Sequence, residues 1–300
     1  MTEAVSRPRG PVRWKRWAAI AAGALVSWLL AGLVAALVVT RPWNVRVDAR
    51  ATIAGCPVEA VSVLAADGVT GRGWLVRAAG AAKRCVVLAA GIRGNRLAML
   101  PRAEWYLSSG WSVLLVDLRG TGASDPAAVS MGWNESLDLA AWCAFARTNG
   151  FAKVGAHGVS LGAAAVVYGA VRGSPPPAWD FAVLEACYRD IDGAIAGRLP
   201  WLPFAEWCTL PMAWFAGLAT GARAADLWPV DAIGRLVCPT LFVCGTADRE
   251  VGDRAAADLF SRSGSAAKEL VEIPGAGHVD LWNVAGNTLR RALAAFLARQ

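Results

Sequence analysis

Charged residues are scarce in this chain of 300 residues, where they make up 18% of the total against 56% apolar residues. So high an apolar content excludes a disordered chain, because disorder requires low hydrophobicity. It also exceeds the apolar share of an ordinary soluble domain, and the mean hydropathy is positive at +0.40. We therefore expect part of the chain to contact a membrane.

Histidine is also scarce, and closely spaced cysteine pairs are absent. The chain has two histidines, and none of its seven cysteines belongs to a C-x-x-C pair. A zinc site takes several nitrogen or sulfur ligands at characteristic spacings, so no metal site is expected. An odd number of cysteines leaves at least one thiol free, and Cys187 with Cys208 is the one candidate disulfide.

Basic residues are concentrated at the N-terminus. Eight of the 30 Lys and Arg residues lie in positions 1–50, together with two acidic residues, so this segment carries six of the seven net positive charges. Positions 51–300 are close to neutral and cannot provide the basic surface that nucleic acid requires. We therefore expect no nucleic-acid partner.

Residues 17–39 form an uncharged run of 23 residues in which Ser27 carries the only hydroxyl group. As a helix this run reaches roughly 35 Å, enough for a bilayer core of about 30 Å. The buried helix of a soluble enzyme usually keeps a polar stripe, and this run has none. The pattern predicts a transmembrane helix over 17–39 that contacts the lipid bilayer.

The charges around this helix predict its orientation. Five basic residues precede it, within a basic arm over 1–16, and three follow it. This asymmetry favours a cytoplasmic N-terminus and an extracytoplasmic remainder. A cleavable signal peptide is the alternative, but its apolar region is usually about 7–15 residues and ends at an A-x-A-like site. Only Val34-Ala35-Ala36 resembles one, so an uncleaved single-pass anchor is favoured.

After a linker over 40–57, the chain alternates apolar runs with amphipathic segments through a single domain over 58–300. This alternation is typical of an α/β fold with a mostly parallel sheet covered by helices on both faces. A segment at about 188–236 is too long and too rich in proline for a connection, and we expect a helical lid insertion there. The predicted sheet has eight strands, at 58–65, 73–77, 85–90, 113–116, 154–156, 181–186, 240–244 and 270–273.

A G-x-S-x-G motif spans Gly158–Gly162, directly after a predicted strand and before a run of small helical residues. In that context the tight turn exposes the serine hydroxyl above the sheet edge. The helix N-terminus adds positive potential where an anion develops. Ser160 is therefore the candidate nucleophile.

A serine nucleophile needs a base, and the base needs an orienting carboxylate. His157 precedes Ser160 by three residues in the same strand, where its ring cannot easily turn back, so we interpret it as a structural residue. His278 follows a strand within a Gly-rich loop and is the expected base. Asp248 follows the preceding strand and is the expected acid, at the sheet edge where catalytic groups gather.

Three other carboxylates near the expected acid, those of Glu250, Asp253 and Asp280, are interpreted as surface or capping charges. The resulting chain order of serine, acid and histidine is that of one known hydrolase architecture. An oxyanion hole needs two backbone N–H groups, which we expect from Leu161 and from Ile92 in the loop after the strand at 85–90.

These motifs together resemble the α/β-hydrolase superfamily over residues 58–298, and most of all its bacterial, often membrane-anchored branch of esterases and dipeptidyl-aminopeptidase-like serine hydrolases. That resemblance implies an α/β-hydrolase fold and structural, turn-holding roles for Asp117 and Arg119. The expected triad chemistry needs no metal or organic cofactor. Relatives commonly have His-Gly where this chain has Ala90-Gly91. The resemblance rests on Gly158-Val159-Ser160-Leu161-Gly162, Gly245-Thr246-Ala247-Asp248, Gly275-Ala276-Gly277-His278 and the run from Asp117 to Ser124.

The expected function is a membrane-anchored serine hydrolase of an ester, thioester or amide, acting on a small-molecule, lipid or peptide substrate. Two alternatives stay open. One is a hydrolase-like binding or scaffold module at the cell envelope that has no activity. The other is a lipid-facing hydrolase, favoured by the tryptophans in or near the lid, whose amphipathic rings suit a membrane interface. These are Trp179, Trp201, Trp207, Trp214 and Trp228.

Overall fold

A computed structural model describes residues 12–80, 83–202, 204–251, 254–278 and 281–300. The first eleven residues of the predicted basic arm lie outside this part of the chain. The helices are α1 (Val12–Thr40), α2 (Leu100–Ser108), α3 (Glu135–Thr148), α4 (Leu161–Arg172), α5 (Ile191–Arg198), α6 (Ala205–Cys208), α7 (Leu210–Thr220), α8 (Pro229–Ala232), α9 (Ala255–Arg262), α10 (Leu281–Ala285) and α11 (Asn287–Leu297). The strands are β1 (Trp43–Asn44), β2 (Thr52–Ile53), β3 (Cys56–Leu64), β4 (Thr70–Val76), β5 (Arg84–Ala89), β6 (Ser112–Asp117), β7 (Thr121–Gly122), β8 (Lys153–Val159), β9 (Phe181–Glu185), β10 (Thr240–Gly245) and β11 (Lys268–Ile273).

The main sheet has the strand order β11-β10-β9-β8-β5-β6-β4-β3-β2. Pairing is parallel from β11 to β6 and antiparallel from β6 to β2. The predicted mostly parallel sheet is therefore confirmed. The eight predicted strands all form, and a ninth of two residues, β2, is added at the edge.

The segment expected to be a linker, 40–57, contributes short strands. Besides β2, it supplies β1, which pairs with β7 in a separate two-stranded sheet. The N–H of Trp43 donates to the carbonyl of Gly120, and that of Val45 to the carbonyl of Gly122. The chain between α1 and the domain is thus held against the domain surface by backbone hydrogen bonds.

The sheet is covered by helices on both faces, as predicted. Alternate side chains of β5 enter opposite cores, with Val87 on one face and Val86 and Leu88 on the other. One core is closed by α3 and α4, with Trp142 fully buried at its centre. The other is closed by α2 and α11. Central strands buried on both faces explain the continuous apolar runs in the sequence.

Helix α1 does not belong to either core. In the described part of the chain it is the one helix long and apolar enough to span a membrane, judged by length and composition, over Trp14–Thr40. Most of its side chains are exposed, and its buried residues Gly32, Ala36 and Thr40 share one face. Its last turn is fixed to the domain, since the N–H of Val129 donates to the carbonyl of Thr40.

The candidate disulfide is not formed. Cys187 is a free thiol that is buried at the end of β9, and its Sγ lies 3.5 Å from the carbonyl oxygen of its neighbour Tyr188. Burial raises the pKa of this thiol above its usual value. Cys187 therefore serves as a small apolar core residue.

Candidate active site

The turn between β8 and α4 presents Ser160 above the sheet edge. Ser160 has φ 52° and ψ −112°, a strained backbone conformation for a residue with a side chain. The flanking glycines are required by close packing. A Cβ on Gly158 would lie 2.4 Å from the backbone N of Ala163, and one on Gly162 would lie 2.5 Å from the carbonyl oxygen of Ala89. Only glycine fits these two positions.

The structure brings Ser160, His278 and Asp248 together. The His278 Nε2 atom lies 2.9 Å from Ser160 Oγ, and its Nδ1 atom lies 2.8 Å from Asp248 Oδ2. The three residues are 6%, 8% and 3% exposed, respectively. Their hydrogen bonds are therefore largely shielded from water, which strengthens them electrostatically.

The loops that carry the acid and the histidine follow adjacent parallel strands. Asp248 lies just after β10 and His278 just after β11. These loops are tightly packed, because a Cβ on Gly245 would lie 2.1 Å from the carbonyl oxygen of Ala276. Asp248 is oriented by the N–H of Glu250, which donates to its Oδ1 atom at 2.9 Å.

Of the three other carboxylates near the expected acid in the sequence, the structure describes one, that of Glu250. The side chain of Glu250 pairs with Arg198 of the lid at 3.0 Å, and it does not replace Asp248 beside the histidine. Asp253 and Asp280 lie outside the described residues.

The two residues predicted for an oxyanion hole adjoin Ser160. Leu161 is the first residue of α4, where an N–H group has no partner within its helix. Ile92 lines both cavities that contain Ser160. The loop that contains Ile92 can lie this close to Ser160 because residue 91 is glycine. A Cβ on Gly91 would lie 3.3 Å from the Ser160 Cβ.

His157 belongs to a buried polar network beneath the Ser160 turn. Its Nε2–H donates to Glu185 Oε2 at 3.0 Å, and its Nδ1 accepts from the Tyr106 hydroxyl at 3.1 Å. Arg102 donates through Nε to Glu185 Oε2 at 2.8 Å and also contacts Oε1 through its terminal nitrogen. Burial lowers the pKa of His157, so that the ring is neutral.

Glu185 links this network to the turn. Its backbone carbonyl accepts the N–H of Ser160 at 2.8 Å. Burial alone raises the pKa of Glu185, but the charge of Arg102 and the hydrogen bonds from His157 and Arg102 outweigh it and lower the pKa to about 2. Sequence reasoning missed this residue. The available signal was a single acidic side chain within an otherwise apolar strand.

Two residues expected to hold a turn lie in comparable networks. Asp117 accepts from the N–H groups of Arg96 and Ala123 at 2.8 and 2.7 Å. Arg119 pairs with the carboxylates of Asp67 and Asp138. Neither residue lines the two cavities beside Ser160.

Two cavities meet at Ser160. The first, of about 350 Å³, is mainly apolar and lies beneath the lid. Its wall includes Met212 and Ala216 of α7 and, unexpectedly from the sequence, Val39 of α1. The second, of about 280 Å³, has a more polar wall that includes His278. Among the described residues, no cluster of three or more His, Cys, Asp or Glu side chains could hold a metal ion.

The chain is similar in sequence to known proteins. Residues 86–288 match the model of the alpha/beta hydrolase family. An uncharacterized Bacillus subtilis protein, YqkD, is 27% identical over 219 residues, covering 71% of this chain and 70% of its own length.

Solved structures of esterases share the fold. The Pyrococcus furiosus esterase Pf2001 superposes with a TM-score of 0.71 at 23% identity, covering 87% of this chain and 98% of the esterase. The Exiguobacterium antarcticum esterase EaEST gives a TM-score of 0.59 at 14% identity, covering 80% and 100% of the two chains. At such identities the likeness concerns the fold alone.

Proposed function

Because this chain belongs to the alpha/beta hydrolase family, we propose that it is a membrane-anchored serine hydrolase. Its substrate class is an ester, thioester or amide, and its reaction passes through an acyl-enzyme on Ser160. The observation that carries this proposal is the buried chain of hydrogen bonds from Ser160 through His278 to Asp248.

Each residue has a distinct role in the proposed reaction. The His278 Nδ1–H donates to Asp248, which leaves the Nε2 lone pair facing the Ser160 hydroxyl. His278 takes the hydroxyl proton as Ser160 Oγ bonds to the substrate carbonyl carbon. The N–H groups of Leu161 and Ile92 donate to the resulting oxyanion, an interaction worth about 3 kcal/mol per donor in a comparable enzyme.

The tetrahedral intermediate then collapses. The bond to the leaving alcohol, thiol or amine breaks, and His278 returns the proton to that group. Water, deprotonated by His278, then attacks the acyl carbon. The bond from that carbon to Ser160 Oγ breaks, the carboxylic acid leaves, and His278 returns the proton to Ser160 Oγ. All the catalytic groups belong to this chain, and the only co-reactant is water.

A fluorophosphonate probe tests this assignment directly, since it labels only an activated serine. We expect labelling of the wild type, no labelling of Ser160→Ala, and at least a hundredfold slower labelling of His278→Ala. Ser108→Ala is the matched control, because Ser108 is an exposed serine whose hydroxyl donates to a carbonyl of its own helix. Undiminished labelling of Ser160→Ala would refute the proposal and favour a module without activity.

The anchor is the second part of the proposal. We propose that α1 spans a bacterial cell membrane once, with the N-terminus cytoplasmic and the hydrolase domain outside. The exposure of most α1 side chains supports this, because a core helix of a soluble protein is mostly buried. The tests are retention in the membrane pellet after carbonate extraction and an intact mass that includes residues 1–39. Release into the soluble fraction would refute the anchor, and a shortened mass would indicate a cleaved signal peptide.

A further inference from the structure

The lid exposes large apolar side chains where a soluble protein exposes polar ones. Leu210, Trp214 and Leu218 lie at i, i+4 and i+8, on the outward face of α7, and are 47%, 60% and 67% exposed. Helix α7 contains no charged residue. The residues before α7 include Trp201, Phe204 and Trp207, which are at least 65% exposed. An exposed apolar patch of this extent marks a contact with a protein or a membrane.

The membrane is favoured because α7 packs directly against α1. The buried face of α1 repeats small residues at every fourth position, Gly32, Ala36 and Thr40, as helices do when they pair within lipid. A Cβ on Gly32 would lie 2.4 Å from the Cβ of Pro211 in α7. The two helices are therefore in backbone-to-backbone contact.

The position of this contact along α1 determines how deep α7 lies if α1 spans the membrane. The indole N–H of Trp28 donates to the carbonyl of Cys208 at 3.0 Å. Trp28 is the middle residue of the predicted span 17–39 and precedes its C-terminal end by about 17 Å along the helix. The half-thickness of a hydrocarbon core is about 15 Å. If α1 spans the membrane, the beginning of α7 lies near the bilayer midplane.

The same two helices form a wall of the apolar cavity beside Ser160. Val39 and Thr40 of α1 and Met212, Ala213 and Ala216 of α7 all line it. A methylene group occupies about the volume of a water molecule, roughly 30 Å³, so about 350 Å³ holds about twelve of them. His278 and Glu250 line the second cavity and not the first, whereas Arg198 lines both.

We propose that α7 is inserted in the bilayer beside α1, and that the apolar cavity takes the acyl chain of a lipid ester directly from the membrane. This rests on the proposed hydrolase function and names its substrate class. Ser160 Oγ bonds to the acyl carbon, the ester bond to the lipid alcohol breaks, and the alcohol leaves with a proton from His278. Water then releases the fatty acid, while the alcohol occupies the more polar cavity.

Photo-crosslinking tests the insertion without requiring activity. The full-length Ser160→Ala protein carries p-benzoylphenylalanine in place of Trp214 or Leu218 and is reconstituted into phosphatidylethanolamine–phosphatidylglycerol vesicles that contain an alkynyl-acyl phospholipid. We expect lipid adducts at both positions, at the level found for Val34 on the exposed side of α1. Leu64 is the matched control, because it is equally apolar and 69% exposed but belongs to the β3–β4 hairpin and not to the lid. Adduct levels at 214 and 218 equal to those at 64 would overturn the insertion.

Pocket-filling variants test the acyl site. Ala216→Phe fills the cavity, and we expect it to lower the ratio of kcat/KM for p-nitrophenyl decanoate over acetate at least tenfold. Ala213→Phe is a second variant with the same expected effect. Ala219→Phe, on the exposed side of the same helix, is the matched control and should leave the ratio unchanged. Phosphonate labelling verifies that each variant is folded.

The outcomes separate the two proposals. If Ser160-dependent acetate hydrolysis is present but the decanoate ratio is the same in all variants, the acyl site is refuted and the hydrolase stands. If Ser160→Ala retains the wild-type rate, the hydrolase proposal and the substrate class fail together. If no lipid adducts form at positions 34, 214 and 218, both the anchor and the inserted lid are refuted.

Discussion

The volume of the apolar cavity predicts how activity depends on acyl chain length. Burying one methylene group stabilises a complex by about 0.8 kcal/mol, which corresponds to about a fourfold increase in kcat/KM. With room for about twelve methylene-sized groups in about 350 Å³, we expect kcat/KM to rise about fifteenfold for every two carbons added. The rise should end near a chain of about twelve carbons, when the cavity is full.

The assay uses p-nitrophenyl esters from acetate to palmitate, each below its critical micelle concentration and at one fixed detergent concentration. Ser160→Ala supplies the background rate. A profile that is flat or falls from acetate onward would refute the assignment of the cavity to an acyl chain. A rise that continues undiminished to palmitate would refute the capacity worked out from its volume.

Three further predictions concern the framework around the site. Glu185→Gln should destabilise the domain by about 3–5 kcal/mol, because it leaves a buried guanidinium without its counter-charge. The folded-state pKa of Glu185 is lowered from 4.5 to about 2, so its stabilisation is complete above the unfolded pKa and is lost as pH falls towards 2. The melting-temperature gap between wild type and this variant should narrow below pH 4.5, and a constant gap would contradict the reasoning. Gly32→Leu should separate α1 from α7 and expose the lid to limited proteolysis, whereas Gly23→Leu, where an added Cβ meets nothing within 4 Å, should not. Gly162→Ala should abolish phosphonate labelling, since its Cβ would lie 2.5 Å from a carbonyl of β5, and Gly234→Ala, with its nearest neighbour at 3.6 Å, should preserve it.

The main sheet could be predicted because its signal is local. Strands β5, β6, β8, β9 and β10 are short apolar runs bounded by turn residues, and burial on both faces of a parallel sheet produces that pattern directly. The two-residue strands β1 and β2 carry no such signal. They form because the chain between α1 and the domain is held against existing edges, which is a consequence of tertiary contact.

The residues proposed for catalysis could also be selected from the sequence. The G-x-S-x-G turn needs glycine on either side of Ser160, because the neighbouring residues leave no room for a side chain. The chain has two histidines, which leaves little choice of base. The partners of Glu185 could not be found in this way. Arg102 lies 83 positions away along the chain, and no local pattern relates a helix on one face of the sheet to the end of a strand.

The sequence by itself determined the apolar helix, the order of strands and helices and the positions of Ser160, Asp248 and His278 in loops after strands, because hydrophobic periodicity and turn chemistry act over a few residues. Only the tertiary structure decided what lies beside the site. The pairing of α1 with α7, about 180 residues apart, depends on close contact between small residues of one helix and the surface of the other. That contact joins α1 to the wall of the cavity beside Ser160, and shape complementarity between distant segments produces no periodic pattern in the sequence of either one.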